Sequence, residues 1–358
     1  MKSFKISGTC VDLSSEGKGV IKDKENVYFI NSLFIGEKCE ATITHFSNHI
    51  GYGYVTKLIS ISKDRVESKC PIHSSCGGCV FQNYRYESQL KYKEKKVIED
   101  LKRIGKLEKI PLEKISPSKE IYGYRNKLEV PLKENKKGKI EAGFFKEYSH
   151  EIIPIKSCPI QNPLLFSVVN DCLCIFNDLK IRAYDEDKRT GILRHLLLKS
   201  SLNNGHVLLS VVINNSELPG SKEFVKRITK LHPEIQSISL NYNLRKTNVI
   251  LGEREKIIFG KGFIIDEILG NKFRVSTSSF FQVNPCVVKD LYSYVKKKLN
   301  NNKSSILVPL GFVLLLIDTF IFPILLCGAE LYELAIIVFL VGVIALVIMF
   351  AMILAIEH

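Results

Sequence analysis

Cys70, Cys76 and Cys79 place three thiols in the ten-residue run Cys70-Pro71-Ile72-His73-Ser74-Ser75-Cys76-Gly77-Gly78-Cys79. Thiolates are soft ligands, and C-x5-C-G-G-C spacing suits zinc or an iron–sulfur cluster, each of which takes four. Gly77 and Gly78 can take positive φ at no steric cost, letting the chain wrap until Cys76 and Cys79 point at one centre. The fourth ligand must come from elsewhere, and Cys158 in Lys156-Ser157-Cys158-Pro159 is the best candidate. Spacing alone leaves zinc and iron both open.

These thiols need elements to hold them. Residues 1–62 read as short strands at 4–11, 19–22, 27–30, 38–43 and 52–59, rich in β-branched and aromatic residues and parted by turn chemistry such as Ser14-Ser15-Glu16-Gly17. Five such strands fit a small OB-like barrel. After the cysteines, residues 87–104 are helical, with Leu90, Val97, Leu101 and Ile104 on one face and Gly105 to stop them. Lys91, Lys93, Lys95, Lys96, Lys102 and Arg103 crowd the other side, a face for phosphates or for solvent. A β-rich region follows, with hairpin signals at Glu134-Asn135-Lys136-Lys137-Gly138 and Ser201-Leu202-Asn203-Asn204-Gly205. Residues 163–179 and 221–231 read as helices, and 235–242, 257–259, 263–268 and 271–276 as strands. Cys10, Cys39, Cys172 and Cys174 fall in apolar stretches and read as core. Asn284-Pro285 opens another helix, Asn as cap and Pro at its first position.

Composition narrows the class. A length of 358 residues predicts two or three domains, and ten cysteines are too sparse for a disulfide framework. The N-terminus has no apolar signal region, so a reducing cytosol is expected for the body, where clustered thiols read as metal ligands. The net charge is +14, yet all 51 Lys and Arg precede Ser304. Only Asp318, Glu330, Glu333 and Glu357 of the 37 acidic residues follow it, leaving 33 and a net charge of +18 on residues 1–303. Such an excess points to a polyanion, nucleic acid first. Residues 306–328 are apolar apart from Asp318, and residues 334–356 carry no charge, each long enough to span a bilayer. The Lys-rich stretch 296–303 favours an inside N-terminal flank, so the tail reads as a two-span hairpin associating with membrane.

Six motifs in order then resemble the iron–sulfur RNA uracil-C5 methyltransferases, nearest the 23S rRNA (uracil-5-)-methyltransferase branch. They are the barrel, the Cys70–Cys79 run, Tyr124-Arg125-Asn126-Lys127, Cys158-Pro159-Ile160, Leu193-Arg194-His195-Leu196 and Ser279-Phe280-Phe281-Gln282-Val283-Asn284-Pro285. The resemblance covers about residues 1–308. It implies a multidomain α+β fold: a TRAM barrel at 1–62, an iron–sulfur α/β domain at 63–283 and the start of a Rossmann-like methyltransferase domain at 284–308. A hydrophobic tail follows at 309–358. By the same resemblance Cys70, Cys76, Cys79 and Cys158 hold a [4Fe–4S] cluster and Gln282 contacts S-adenosylmethionine. Arg125, Asn126, Lys127, Arg194, His195, Phe280 and Phe281 are then directed to RNA, with one of the two phenylalanines near the target base.

The family's cofactor loop needs an acidic residue and Gly-x-Gly after the strand that begins Ser304-Ser305-Ile306-Leu307-Val308. Here the chain reads Pro309-Leu310-Gly311-Phe312-Val313, and neither Cys286 nor Cys327 is assigned as nucleophile. Two readings follow: a monomeric uracil-C5 methyltransferase of 23S rRNA by descent, inactive as this chain, or a non-catalytic, membrane-tethered iron–sulfur RNA-binding protein.

Overall fold

A computed structural model describes residues 3–301 except 111, 148 and 247. The chain divides into a unit of residues 1–287 and a second beginning at Val288.

The first strands are β1 (Phe4–Thr9), β2 (Asp12–Leu13), β3 (Gly19–Asp23), β4 (Asn26–Asn31), β5 (Lys38–Ser47) and β6 (Ile50–Ser60). They form one sheet in the order β1-β5-β6-β4-β3-β2. The single strand expected over 4–11 ends at Thr9: Cys10 N–H still bonds the Glu37 carbonyl at 2.8 Å, but the Cys10 carbonyl accepts from Gly36 N–H at 2.9 Å, out of register. Alternation along β5 sends Cys39, Ala41 and Ile43 inward to meet Ile21, Ile30, Leu33 and Phe34. A Cβ on Gly8 would stand 2.5 Å from Ile21 Cγ2, so only glycine lets β1 lie this close to β3.

Helix α1 (Tyr86–Arg103) follows the cysteines. Its expected apolar stripe is only partly used, for Val97 and Ile104 are exposed. The helix is anchored instead by Tyr92, whose hydroxyl donates to the Ser14 carbonyl, and by Lys95, 2.8 Å from Asp12.

The central layer has β7 (Lys127–Glu134), β8 (Ile140–Phe145), β9 (Ile152–Pro154), α2 (Pro163–Asp178), β10 (Leu193–Ser200), β11 (Val207–Ile213), α3 (Ser221–Leu231), β12 (Ile235–Tyr242) and β13 (Arg254–Gly260). Its seven strands run β13-β12-β11-β10-β7-β8-β9. Only β11 and β12 pair in parallel, across the α3 connection, because a parallel neighbour needs a crossover. Asn162 caps α2 by accepting from Leu164 N–H at 3.0 Å, with Pro163 in the first turn. Phe176 of α2 stacks on Phe224 of α3 at 4.7 Å over Leu128, Val130, Leu196, Leu198 and Val211. Cys172 is buried there, but Cys174 is exposed, against expectation: two residues on along a helix is the opposite face.

The other face meets the hairpin of β14 (Phe263–Ile268) and β15 (Asn271–Ser276), where Ile264, Val275 and Phe281 cover Leu208. Helix α4 (Pro285–Asn301) begins at the expected Asn284-Pro285. The architecture among the described residues is mixed α/β with three sheets. Among the described residues no helix is long and apolar enough to cross a membrane. The spans expected at 306–328 and 334–356, the tail 309–358 and residues 302–308 of the segment 284–308 lie outside them.

Candidate functional site

The cysteine run is tied to the first sheet on its N-terminal side, and its two flanks are tied to each other. Arg65 reaches the buried Glu37, and Val66 N–H and Arg85 N–H bond the carbonyls of Asn83 and Asp64. Within the run, Cys76 N–H donates to the Ile72 carbonyl at 2.8 Å, closing a helical turn that brings Cys70 and Cys76 round together. Gly77 and Gly78 do not adopt positive φ, contrary to expectation. A Cβ on Gly78 would stand 3.4 Å from Cys76 Sγ, an ordinary contact, and Gly78 N–H points at that sulfur across 3.4 Å. Cys76 also bridges to Lys146 just after β8, which ties the run to the central sheet.

Cys158 arrives from the far side of β9. Its carbonyl accepts from Gln161 N–H at 3.1 Å, and Arg125 N–H bonds the neighbouring Ile160 carbonyl at 3.0 Å. All four predicted cysteines line one cavity of about 50 Å³, with Ile72, Phe144, Ile155 and Ile160 as apolar wall. Burial raises the Cys79 thiol above its ordinary value; Gln82 opposes this, and Cys158, Cys76 and Cys70 add to it. Burial likewise raises Cys158. Among the described residues no group of three or more His, Cys, Asp or Glu is drawn tightly enough to hold an ion.

The cavity also contains polar side chains that the spacing argument missed. His73 Nδ1, Gln82 Oε1, Arg125 Nε and Gln161 Oε1 are buried without partners, and all four residues line it. An unpaired guanidinium N–H beside four thiols fits a centre that carries negative charge, as thiolate-bound zinc or an iron–sulfur cluster does. The donor set is all sulfur and comes from two segments, which suits either group.

The remaining predicted residues fall into two places. Asn126 donates its amide to the Gln282 carbonyl at 3.1 Å, and its N–H bonds the Val283 carbonyl at 3.0 Å. Lys199, which the sequence did not single out, donates to the carbonyls of Ser276 at 2.7 Å and Ser279 at 2.6 Å. Burial lowers Lys199 to about 8, with Lys127 adding to the effect. These two clamps present Phe280, 84% exposed, while Phe281 packs beside Phe273 and Gln282 faces outward. Lys127 lies 3.2 Å from Glu129.

Arg194 and His195 are elsewhere. His195 lies opposite Pro131 and Lys199 opposite Lys127, so they occupy the other end of the β7–β10 ladder from Arg125. Arg194 is 4% exposed, donating to the carbonyls of Asn243 and Arg245 at 2.9 Å each and to Glu186 at 2.7 Å. It organises a turn rather than offering a free cation. Burial, with Arg194 beside it, holds His195 down to about 4.

No protein-family model matches the chain. Over 291 residues, 81% of this chain, it is 38% identical to a protein named uncharacterized RNA methyltransferase from Halalkalibacterium halodurans, covering 63% of that protein. A protein of the same description from Clostridium acetobutylicum is 36% identical, over 80% of this chain and 62% of its own length. The chain thus spans a little under two thirds of the curated relatives it matches. The fold is similar to the crystal structure of Pyrococcus abyssi tRNA (uracil-54, C5)-methyltransferase in complex with S-adenosyl-L-homocysteine, with a TM-score of 0.61 and 25% identity over 81% of this chain and 64% of that one.

Proposed function

From its likeness to proteins named RNA methyltransferases, we propose that this chain is part of an S-adenosylmethionine-dependent RNA uracil-C5 methyltransferase, with 23S rRNA as substrate. The observation that carries the reading is the shared fold with a tRNA uracil-C5 methyltransferase across 81% of the chain. Within that protein, residues 3–287 hold the RNA and a [4Fe–4S] cluster, and the tail associates with membrane.

The chemistry asks much of RNA positioning. Uracil C5 is a poor nucleophile, so a cysteine must add at C6 to create an enolate, and a base must later take the C5 proton. S-adenosylmethionine supplies the methyl group as a sulfonium. A base in folded RNA must be turned out to be reached. The clamped segment Ser276–Val283 puts Phe280 and Gln282 at the surface, where an everted base and the cofactor would meet them. A cluster bound by Cys70, Cys76, Cys79 and Cys158 would cross-link the post-barrel run to the central sheet, with Arg125 Nε turned to its charge.

This chain by itself is expected to bind RNA without transferring methyl, since Gln282 is the one position assigned to the cofactor. Anaerobically purified full chain should be brown, with about four irons per chain, and Cys158→Ser should lose them. It should retain rRNA transcripts on filters and leave tritium from labelled S-adenosylmethionine unincorporated. A colourless protein with one zinc would reject the cluster, and absence of RNA binding would reject the whole reading. Label at uridine C5 would overturn the division of labour.

A further inference from the structure

Beside the cysteine cavity lies a second, larger concavity that shares part of its wall. A groove of about 700 Å³ opens between the first turns of α1 and the segment 115–125. Its walls include the rings of Tyr86, Tyr122 and Tyr124 and the cations Arg85, Lys93 and Arg125. Ser118 N–H donates to the Tyr86 hydroxyl at 2.7 Å, which ties the two walls together. Lys69 sits 4.2 Å from the Tyr122 ring centre, adding a further positive charge at that wall. Lys93 is exposed and makes no ion pair among the described residues, and Arg125 Nε is buried without a partner. Glu87 and Glu120 are the groove's carboxylates, outnumbered by its cations.

Rings interleaved with cations are what a flexible polyanion with flat bases requires: bases stack on the rings while phosphates pair with the charges. A duplex keeps its bases stacked inside and offers no face to the tyrosines. An apolar polypeptide would leave Lys93 without a counter-charge. We propose that this groove binds a single-stranded stretch of RNA, with unstacked bases on Tyr86, Tyr122 and Tyr124 and phosphates at Arg85 and Lys93. The proposal rests on the RNA reading and adds where a strand lies. Gly78, Cys79, Gln82 and Arg125 line both groove and cysteine cavity, so the strand runs along the cysteine loop.

The test uses the full chain with a labelled oligouridylate carrying 4-thiouridine, alongside a duplex of equal length. Tyr122→Ala and Lys93→Glu should each weaken single-strand binding roughly tenfold and leave duplex binding unchanged. Crosslinks should map to residues 81–93 and 115–125. Lys93 is exposed, so K93E keeps the test open if the tyrosine variant fails to fold. Affinities within about twofold of wild type, with crosslinks confined to the barrel or to 280–282, would overturn the groove and leave the RNA reading standing. So would a polypeptide captured in the groove while RNA binding ignores both variants. A wild-type chain that binds no RNA would remove both.

Discussion

At the scale of single residues, His195 carries a defined acid sensitivity. Its folded value near 4 lies below the ordinary 6.5, first through burial and then through Arg194. At neutral pH it is uncharged and adds no cation for RNA. Between those two values the unfolded chain takes up a proton that the folded chain refuses, so stability rises with pH there and is lost as pH falls. Going from pH 7 to pH 5, this residue should cost about 2 kcal/mol. His195→Gln removes the titration, so its urea-derived stability should fall by that much less than wild type over the same range. Parallel pH profiles for the two proteins would mean that His195 titrates in the fold as it does in the unfolded chain.

Between elements, the Glu37–Arg65 pair joins barrel to cysteine run. Glu37 is fully buried and accepts from Phe34 N–H at 2.9 Å, Arg65 Nε at 2.6 Å and Arg65 Nη2 at 2.7 Å. The guanidinium also lies 4.6 Å from the Phe34 ring centre. Removing one partner of such a pair strands a buried charge, whereas removing both does not. Arg65→Met should therefore destabilise the protein by about 3–5 kcal/mol in urea unfolding. The double variant with Glu37→Leu should recover part of the loss. A single-variant cost below about 1 kcal/mol would show that water or another cation reaches Glu37.

For the whole molecule, charge and hydropathy divide along the chain. Every Lys and Arg lies before Ser304, and residues 334–356 are without charge. A basic stretch followed in sequence by an apolar one should place the full chain on membranes, with the proposed RNA binding still weakened by salt. Carbonate washing of membranes should leave the full chain in the pellet, and a chain ending at Lys303 should move to the supernatant. Full-length protein that remains dispersed without detergent would refute the two-span tail.

Local rules carried far. The helix start at Asn284-Pro285 and the Asn135–Gly138 hairpin were legible because turn chemistry and helix starts act over a few residues. The resemblance singled out Arg194 and His195 as RNA contacts; only the tertiary structure shows Arg194 bound to carbonyls 49 and 51 residues away. Lys199 was invisible for the same reason, its partners lying 77 and 80 residues on. Gly77-Gly78 was marked for positive φ, which neither adopts, because φ is set by how the whole run packs and not by residue type. Which polar side chains end buried depends on strands that meet across the sheet, and no short window of sequence contains both sides of that contact.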